Sequence, residues 1–215
     1  MESKLFTPVT FGPLTLRNRT IRSAAFESMC PGNAPSDMLL DYHRSVAAGG
    51  IGMTTVAYAA VTQSGLSFDR QLWMRPEIIP GLRRLTDAIH AEGAAAGIQL
   101  GHCGNMSHKS ICGCMPVGAS SGFNLYSPTF VRGLRADELP EMARAYGRSV
   151  NLAREAGFDS VEIHAGHGYL ISQFLSPSTN HRKDEFGGSL QNRMRFMDMV
   201  MEEVMKAAGS DMAVL

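Results

Sequence analysis

One pattern recurs four times in this chain and constrains its fold more than any other feature. A segment with helical periodicity ends at a glycine, and a short apolar run follows at once. Glycine just past the last helical turn supplies the left-handed backbone conformation that commonly ends a helix. The apolar runs are too short and too rich in β-forming residues to be further helices, so each joint leads from a helix into a strand. The four joints are RSVAAGG before IGMTTVAY, TDAIHAEG before AAAGIQL, NLAREAGFD before SVEIH, and VMKAAGSD before MAVL.

With TIRSAAF as the first strand, strands and helices alternate through five strands and four helices. This alternation predicts parallel β/α units wound right-handedly. An open doubly wound sheet is the alternative, but no GxGxxG follows the first strand and no acidic residue ends the second. We therefore predict an α/β fold, a (β/α)₈ TIM barrel, of which this chain supplies roughly the first five strands and four helices.

Local signals refine this prediction. The segment VTFGPLTLRN predicts an N-terminal β-hairpin with its turn at Gly12 and Pro13. The long stretch 101–135, rich in glycine, serine and proline, predicts a functional loop after the third strand. The predicted helix starts are Ser36 or Asp37, Pro76, Asp137 and Ser189.

The domain organisation follows from length. No shift in composition marks a linker, so residues 1–215 are expected to form a single domain. A complete barrel needs about 250 residues, and the chain stops inside its fifth predicted strand. We expect the N-terminal part of a truncated barrel, either a fragment of a longer protein or a chain that needs a partner or another copy of itself to close.

Composition narrows the possible partners. The 20 basic residues balance the 20 acidic ones, so nothing indicates a nucleic-acid or membrane partner. No apolar run approaches the length of about 18 residues that predicts a membrane span, and the N-terminus lacks a signal peptide, which favours the cytoplasm. The four cysteines lack the spacing of a disulfide scaffold, and we expect them to be reduced.

Metal-ligating side chains cluster once in the sequence. Zinc favours cysteine and histidine ligands, but a single CxC pair without a second CxxC or HxxxH is a weak zinc signal. We predict no metal site here and interpret the thiols as ordinary residues of a glycine-rich loop. The cluster consists of His102, Cys103, His108, Cys112 and Cys114.

The strongest functional signal follows the fourth predicted strand. SVEIH is predicted to be a buried strand that ends at His164, and His167 and Tyr169 lie on the loop beyond it. Ligands of α/β barrels bind beyond the carboxyl ends of the strands. Two histidines and a tyrosine so close together at such an end predict an active site. A zinc-dependent hydrolase that uses His164 and His167 as ligands is the less favoured interpretation.

Longer motifs resemble the Old Yellow Enzyme family of flavin-dependent oxidoreductases, including its NADH:flavin oxidoreductase and 2,4-dienoyl-CoA reductase branches. The resemblance covers essentially the whole chain. The most specific block follows the fourth predicted strand. The matching segments are LFTPVTFGPLTLRNR, AGGIGM, IQLGHCG and HAGHGYLISQFLSPSTNHRKDEFGGSLQNRMRF.

The resemblance implies an FMN cofactor across the carboxyl-terminal mouth of the barrel and NAD(P)H as the hydride donor. An iron–sulfur cluster is implied only for a longer parent protein. The cofactor would run along the first-strand residues, approach the backbone of Tyr58, and place its pyrimidine ring against Gln99 and near His164. The implied first-strand contacts are Ser23, Ala24, Ala25 and Phe26.

The resemblance also implies the reaction, the reduction of an activated C=C bond in a small enone or enoyl substrate. His164 and His167 would hold and polarise the substrate oxygen, and Tyr169 would donate the proton. An unperturbed tyrosine has a pKa of about 10, so it carries its proton at neutral pH. The alternative is a truncated, non-catalytic barrel that works only with a partner or as a homo-oligomer.

The chain departs from the family's pattern along the flavin. Many members carry proline, methionine and then threonine or cysteine where this chain has Ala24, Ala25 and Phe26, and Tyr58 replaces a small residue. Asn105 stands where the pair GR is common. In the DEFGGSLQNRMRF segment we predict an ion-pair network rather than a phosphate site. Its members are Arg182, Asp184, Arg193 and Arg195.

Overall fold

The computed structural model describes residues 3–215, which contain ten β-strands and six α-helices. The strands are β1 (Val9–Phe11), β2 (Leu14–Leu16), β3 (Ile21–Arg22), β4 (Met53–Ala60), β5 (Ala95–Gly101), β6 (Val117–Gly118), β7 (Gly122–Asn124), β8 (Thr129–Gly133), β9 (Ser160–Ile163) and β10 (Ala213–Val214). The helices are α1 (Asp37–Ala48), α2 (Ile79–Ala91), α3 (Lys109–Cys112), α4 (Leu139–Glu155), α5 (Leu170–Leu175) and α6 (Leu190–Ala208).

Five parallel strands form the main sheet in the order β3-β4-β5-β9-β10. Each strand of this sheet therefore lies beside the one that precedes it along the chain. A doubly wound sheet reverses its strand order at a switch point, and this sheet has no reversal. The arrangement is that of a barrel wall, which confirms the predicted fold.

The predicted joints and hairpin are confirmed. A glycine with positive φ follows each of the four long helices, at Gly50, Gly93, Gly157 and Gly209. The strands β1 and β2 pair antiparallel around the turn at Gly12 and Pro13.

Two of the predicted helix starts are confirmed by hydrogen bonds. The Ser36 hydroxyl accepts a hydrogen bond from the backbone N–H of Leu39, and the Ser189 hydroxyl accepts one from Asn192. Pro76 opens a 3₁₀ turn, Pro76–Ile78, directly before α2.

The prediction that Asp137 caps the third long helix is wrong. A 3₁₀ turn, Ala136–Glu138, precedes α4, and the Glu138 carboxylate accepts the backbone N–H of Arg135 at 2.7 Å. The long stretch 101–135 is also more ordered than a loop, since it holds α3 and the three-stranded sheet β6-β8-β7.

The first strand is shorter than predicted. Only Ile21 and Arg22 pair with β4, and the chain beyond them stays extended without a strand partner. Side-chain hydrogen bonds take the place of strand pairing there. The Arg22 guanidinium donates to the carbonyls of Thr55 and Ala25, and the Glu27 carboxylate accepts the N–H of Ala57. An alternating sequence pattern predicts a strand, but it does not show whether side chains or a neighbouring strand satisfy the backbone hydrogen bonds.

The core lies between the sheet and the helices. The strand β4 is buried along its whole length, and the rings of Phe174 and Phe196 stack at 4.5 Å to join α5 to α6. Burial of such apolar surface is the main source of stability in a fold of this type. Within residues 3–215, no helix combines the length and the apolar character needed to cross a membrane.

Candidate active site

The histidine pair owes its geometry to a tight turn beyond β9. The His164 N–H donates to the Leu100 carbonyl at 2.9 Å, which fixes the end of β9 against β5. His167 and Gly168 both have positive φ, and the Tyr169 N–H closes the turn on the Gly166 carbonyl at 3.1 Å. A non-glycine residue in this conformation is uncommon. The turn brings His167 Nδ1 to 3.2 Å from His164 Nε2.

Tyr169 completes this cluster. Its ring centroid lies 4.9 Å from that of His164 and 6.4 Å from that of His167. The structure thus brings together the three residues that the sequence predicts to be catalytic.

Burial sets the protonation of the cluster. Burial lowers the pKa of His164 to about 4, and the neighbouring His167 adds to the effect, so the His164 ring is neutral at pH 7. Each neutral imidazole carries one N–H donor. Burial raises the pKa of Tyr169, while hydrogen bonds from Ser67 and Tyr58 oppose the rise. Tyr169 therefore holds its proton at neutral pH.

Tyr58 packs against this cluster with its side chain. The pairing of β4 and β5 shifts register between Val56 and Ala59, and an irregularity of this kind re-aims side chains next to active sites. The Tyr58 ring centroid lies 5.8 Å from His164 and 5.3 Å from Tyr169. Its carbonyl already accepts a hydrogen bond from Gln71 Nε2 at 3.2 Å.

Gly101 makes this packing possible. A Cβ atom on Gly101 would lie 3.0 Å from the Tyr58 ring and 3.2 Å from the Cβ of His164. Both distances are shorter than ordinary van der Waals contact, so a larger residue would push the two rings apart. Because Gly101 has no side chain, the Tyr58 ring from β4 and the His164 ring beyond β9 can pack against each other across the end of β5.

The predicted first-strand contacts form an extended segment at the same end of the sheet. Within residues 3–215, the backbone N–H groups of Ala24, Ala25 and Phe26 make no hydrogen bond, and Ser23 precedes them in an exposed position. The buried Glu27 anchors the segment, because it pairs with Arg22 at 2.7 Å. The segment therefore presents free backbone donors along the sheet's mouth.

Gln99 lies on β5, and among the described residues only one of the two polar atoms of its carboxamide makes a hydrogen bond. Its Nε2 donates to the Glu162 carboxylate at 2.6 Å. Its Oε1 has no hydrogen-bond partner in the described part of the chain. This oxygen is not fully buried, so a ligand can reach it.

The rim of the site is aromatic and open. Phe26 stacks on Phe68 with centroids 4.7 Å apart, and both rings are largely exposed. A cavity of about 500 Å³ lies beside His167 and extends to Asn105 and Tyr126. Its size matches that of small-molecule sites.

The predicted ion-pair network forms only in part. Arg182 pairs with Asp184, with Nε 2.9 Å from Oδ1. Arg193 instead donates to the carbonyls of Leu175 and Gly188, and Arg195 donates to the neutral Asn192 side chain. The prediction is wrong for Arg193 and Arg195, because the carbonyls of Leu175 and Gly188 and the side chain of Asn192 take their donors.

The side chains of the cysteine and histidine cluster at residues 102–114 engage other partners. Nδ1 of His102 accepts the Gly104 N–H at 2.9 Å, and burial lowers the pKa of His102 to about 3. The Cys103 thiol donates to the Leu66 carbonyl, and His108 bonds to Ser127. Within residues 3–215, no group of three or more histidine, cysteine or acidic side chains is placed to hold a metal ion.

Sequence analysis missed Gln173, a buried organiser of the site. Its Nε2 donates to the carbonyls of Gly168 and Cys103 at 2.6 and 3.1 Å, and its Oε1 accepts the Asn105 N–H at 3.2 Å. Gln173 thereby links the histidine turn to the segment after β5. The one available signal was a glutamine in the short, mostly apolar helix LISQFL.

A parallel barrel wall with this cluster at its carboxyl end defines the class as a TIM barrel with a candidate active site at the usual end of the strands. The comparison with known proteins identifies the family. The sequence model of the NADH:flavin oxidoreductase / NADH oxidase family matches residues 4–215, and the chain belongs to this family.

Two named relatives are consistent with this family assignment. The chain is 43% identical over 210 residues to 4,4'-dithiodibutanoate disulfide reductase of Rhodococcus erythropolis, covering 98% of this chain and 52% of that protein. It is 37% identical over 209 residues to NADPH dehydrogenase of Bacillus subtilis, covering 95% of this chain and 60% of that protein. The chain thus spans between half and two thirds of the length of these relatives.

Solved structures share the fold. The Old Yellow Enzyme homologue from Zymomonas mobilis superposes with a TM-score of 0.91 at 30% identity, over 99% of this chain and 62% of that one. Morphinone reductase in complex with tetrahydroNAD gives a TM-score of 0.90 at 28% identity, over 99% of this chain and 63% of that one.

Proposed function

We propose that this chain supplies the first five strands of one FMN-binding barrel domain in an NAD(P)H-dependent oxidoreductase that reduces an activated C=C bond of an enone or enoyl compound. The observation that carries the proposal is the convergence of His164, His167 and Tyr169 at the carboxyl end of the wall, with ring centroids of 4.9 Å from His164 to each of the other two. Family membership supports the flavin chemistry.

The residues at the mouth fit FMN. A flavin offers carbonyls and ring nitrogens in a flat array, which calls for donors and acceptors along a plane. The free N–H groups of Ala24, Ala25 and Phe26 supply donors beside Ser23, and the Gln99 Oε1 supplies an acceptor. His164 would add an imidazole edge. Tyr58 would act through its ring, since its carbonyl is taken by Gln71.

The protein groups divide the chemistry between them. FMN, held by the residues at the mouth, would supply hydride transfer from NAD(P)H to the β carbon of the substrate. In the contact between Nε2 of His164 and Nδ1 of His167 one nitrogen donates and the other accepts. Both rings can donate to one substrate oxygen once this contact opens and each of the two nitrogens carries a proton. Two such donors stabilise the negative charge that the oxygen gains. Tyr169 then gives its phenolic proton to the α carbon, and solvent reprotonates the tyrosinate.

Reoxidation of the reduced FMN-loaded chain by cyclohexenone tests the proposal. We expect enone to reoxidise the flavin in the absence of oxygen and to yield the saturated ketone. Replacing both His164 and His167 by alanine should abolish this reaction but leave reoxidation by oxygen in place. Enone reduction that survives the double substitution would contradict the assignment.

Disulfide reduction is a second candidate, and the identity to the Rhodococcus disulfide reductase favours it. Hydride would add to one sulfur, the S–S bond would break, and the other sulfur would leave as a thiolate. A thiolate with a conjugate-acid pKa of about 8.5 needs little help from a proton donor. Tyr169→Phe should therefore slow enone reduction strongly and disulfide reduction only slightly.

The alternative of a non-catalytic barrel fragment that needs a partner is less favoured, because His164, His167 and Tyr169 come together within this chain. The cytoplasmic location and the homo-oligomer stay predictions from the sequence. The small-molecule substrate is part of the proposal.

A further inference from the structure

A buried polar patch lies directly behind Tyr169, on the segment that follows β4. Ser67 Oγ lies 2.9 Å from the Tyr58 hydroxyl and 3.5 Å from the Tyr169 hydroxyl. Ser67, Gln71 and Tyr58 are all buried. A hydroxyl in such a place has few partners, so the direction of each hydrogen bond can be worked out from the donors and acceptors available.

The carboxamide of Gln71 has a fixed orientation. Its Oε1 accepts the backbone N–H groups of Ser67 and Phe68 at 2.9 and 3.3 Å, and its Nε2 donates to the Tyr58 carbonyl at 3.2 Å. The opposite orientation would place two donors against two N–H groups. Gln71 Oε1 can therefore only accept from Ser67.

The Tyr58 hydroxyl has one proton and two hydrogen-bond partners within 3.0 Å, the Gly65 carbonyl and Ser67 Oγ. The Gly65 carbonyl, at 3.0 Å, can only accept, so it takes the Tyr58 proton. The hydrogen in the Tyr58–Ser67 contact must then come from Ser67. In this arrangement the Ser67 oxygen keeps a lone pair toward Tyr169, and its O–H can rotate among Tyr58, Gln71 and Tyr169.

We propose that Ser67 is a positioning residue for proton transfer by Tyr169, because its hydroxyl turns to donate a hydrogen bond to the tyrosinate that the transfer leaves behind. The Tyr169 O–H bond breaks, a C–H bond forms on the substrate, and the negative charge stays on the Tyr169 oxygen. Ser67 keeps its own proton. The inference rests on the proposed role of Tyr169 as proton donor.

The energetic reason is the preference of a hydroxyl for a charged acceptor. Hydrogen bonds to ionised groups are about twice as strong as those between neutral groups. Tyr58 loses one accepted bond when Ser67 turns away, but it keeps its own donation to the Gly65 carbonyl. Burial raises the pKa of Tyr169, and the hydrogen bond from Ser67 opposes that rise.

Titration of Tyr169 tests the inference without any turnover. The 215-residue chain is labelled with 3,5-difluorotyrosine, whose phenol ionises at lower pH than that of tyrosine, and the ¹⁹F resonances of its five tyrosines are followed against pH. The Tyr169 signal is assigned with Tyr169→Phe. We expect Ser67→Ala to raise the Tyr169 midpoint by about 1 to 2 pH units. Ser67→Thr, which retains the hydroxyl, should return it to within a few tenths of a unit.

Internal controls come from two other tyrosines. The signal of Tyr126, which is 93% exposed, should be the same in every variant. The buried Tyr146 should keep its chemical shift if the fold is intact. Ser67→Cys, which keeps a weaker donor of similar size, should give a smaller rise and replaces Ser67→Ala if that variant does not fold.

The outcomes separate the two proposals. An unchanged Tyr169 midpoint in a folded Ser67→Ala or Ser67→Cys chain would overturn the role of Ser67, whatever Tyr169 does in catalysis. A shifted midpoint together with full enone reduction by Tyr169→Phe would instead overturn the role of Tyr169 as proton donor. In that case the Ser67–Tyr169 hydrogen bond would stand as a structural contact only.

Discussion

The wall and the mouth of this barrel differ in the polarity of the side chains that they bury. In the wall, β4 is buried along all eight residues, and pairs such as Phe174 and Phe196 are fully apolar. At the mouth, several buried side chains are polar, among them Ser67, Gln71 and Gln173. Burying polar groups costs free energy unless each finds a partner. The wall therefore stabilises the fold, and the mouth uses part of that stability to hold reactive side chains in place.

The largest effect is expected at the mouth. Tyr169→Phe removes the proposed proton donor without changing the ring packing against His164 and Tyr58. Enone-dependent flavin reoxidation should slow by about 10²- to 10⁴-fold, while flavin reduction by NAD(P)H and the urea midpoint stay unchanged. Stopped-flow measurement of each half-reaction checks this, with Tyr126→Phe as the exposed control. Equal losses in both half-reactions would remove Tyr169 from the donor role.

A substitution in the wall should have the reverse signature. Phe196→Ala deletes a fully buried ring that stacks on Phe174, and such truncations cost about 3 to 5 kcal/mol. Urea unfolding should show this loss. The matched control is Phe123→Ala at the mouth, where the ring is 51% exposed and the expected cost is about 1 kcal/mol or less. Similar costs for both variants would contradict the division between wall and mouth.

Gly101 joins the two regions, and its substitution should disturb both. Gly101→Ala places a Cβ 3.0 Å from the Tyr58 ring and 3.2 Å from the His164 Cβ. Overpacking of this kind costs about 1 to 3 kcal/mol, and the displaced His164 should weaken binding of the substrate oxygen. Gly122→Ala, where a Cβ would meet nothing within 4 Å, is the control. A Gly101→Ala chain with unchanged unfolding and unchanged enone KM would show that the close approach is unimportant.

A smaller effect is expected from pH. Burial lowers the pKa of His102 to about 3, against about 6.5 in the unfolded chain. Between these values the unfolded state binds the extra proton, so the free energy of unfolding falls as pH falls below 6.5. From pH 7.5 to 5.5 the loss from this one residue should be about 1.4 kcal/mol. His102→Gln should flatten the urea-midpoint profile over this range, and parallel profiles for the two chains would speak against a neutral buried His102.

The wall could be predicted from sequence, and most of the mouth could not. Periodicity and glycine at Gly50, Gly93, Gly157 and Gly209 identify helix-to-strand joints, because these signals are local. The histidine pair and Tyr169 were also visible, since they lie within six residues of one another.

The rest of the site depends on contacts distant in sequence. Ser67 meets Tyr169 across 102 positions, and Gln173 meets Asn105 across 68. The left-handed backbone of His167 and the register shift near Tyr58 arise from tertiary packing, which overrides local preference. For the same reason, Thr20 to Phe26 reads as a strand but pairs only at Ile21 and Arg22.

The central claim is that the mouth of this chain is a flavin site. Its direct test is the visible absorbance of the purified 215-residue chain after incubation with FMN and desalting, beside a Gln99→Ala variant. The account predicts that the folded chain retains flavin absorbance close to one FMN per chain and that Gln99→Ala retains less. A folded chain that leaves the column colourless would contradict the claim that these residues build the site.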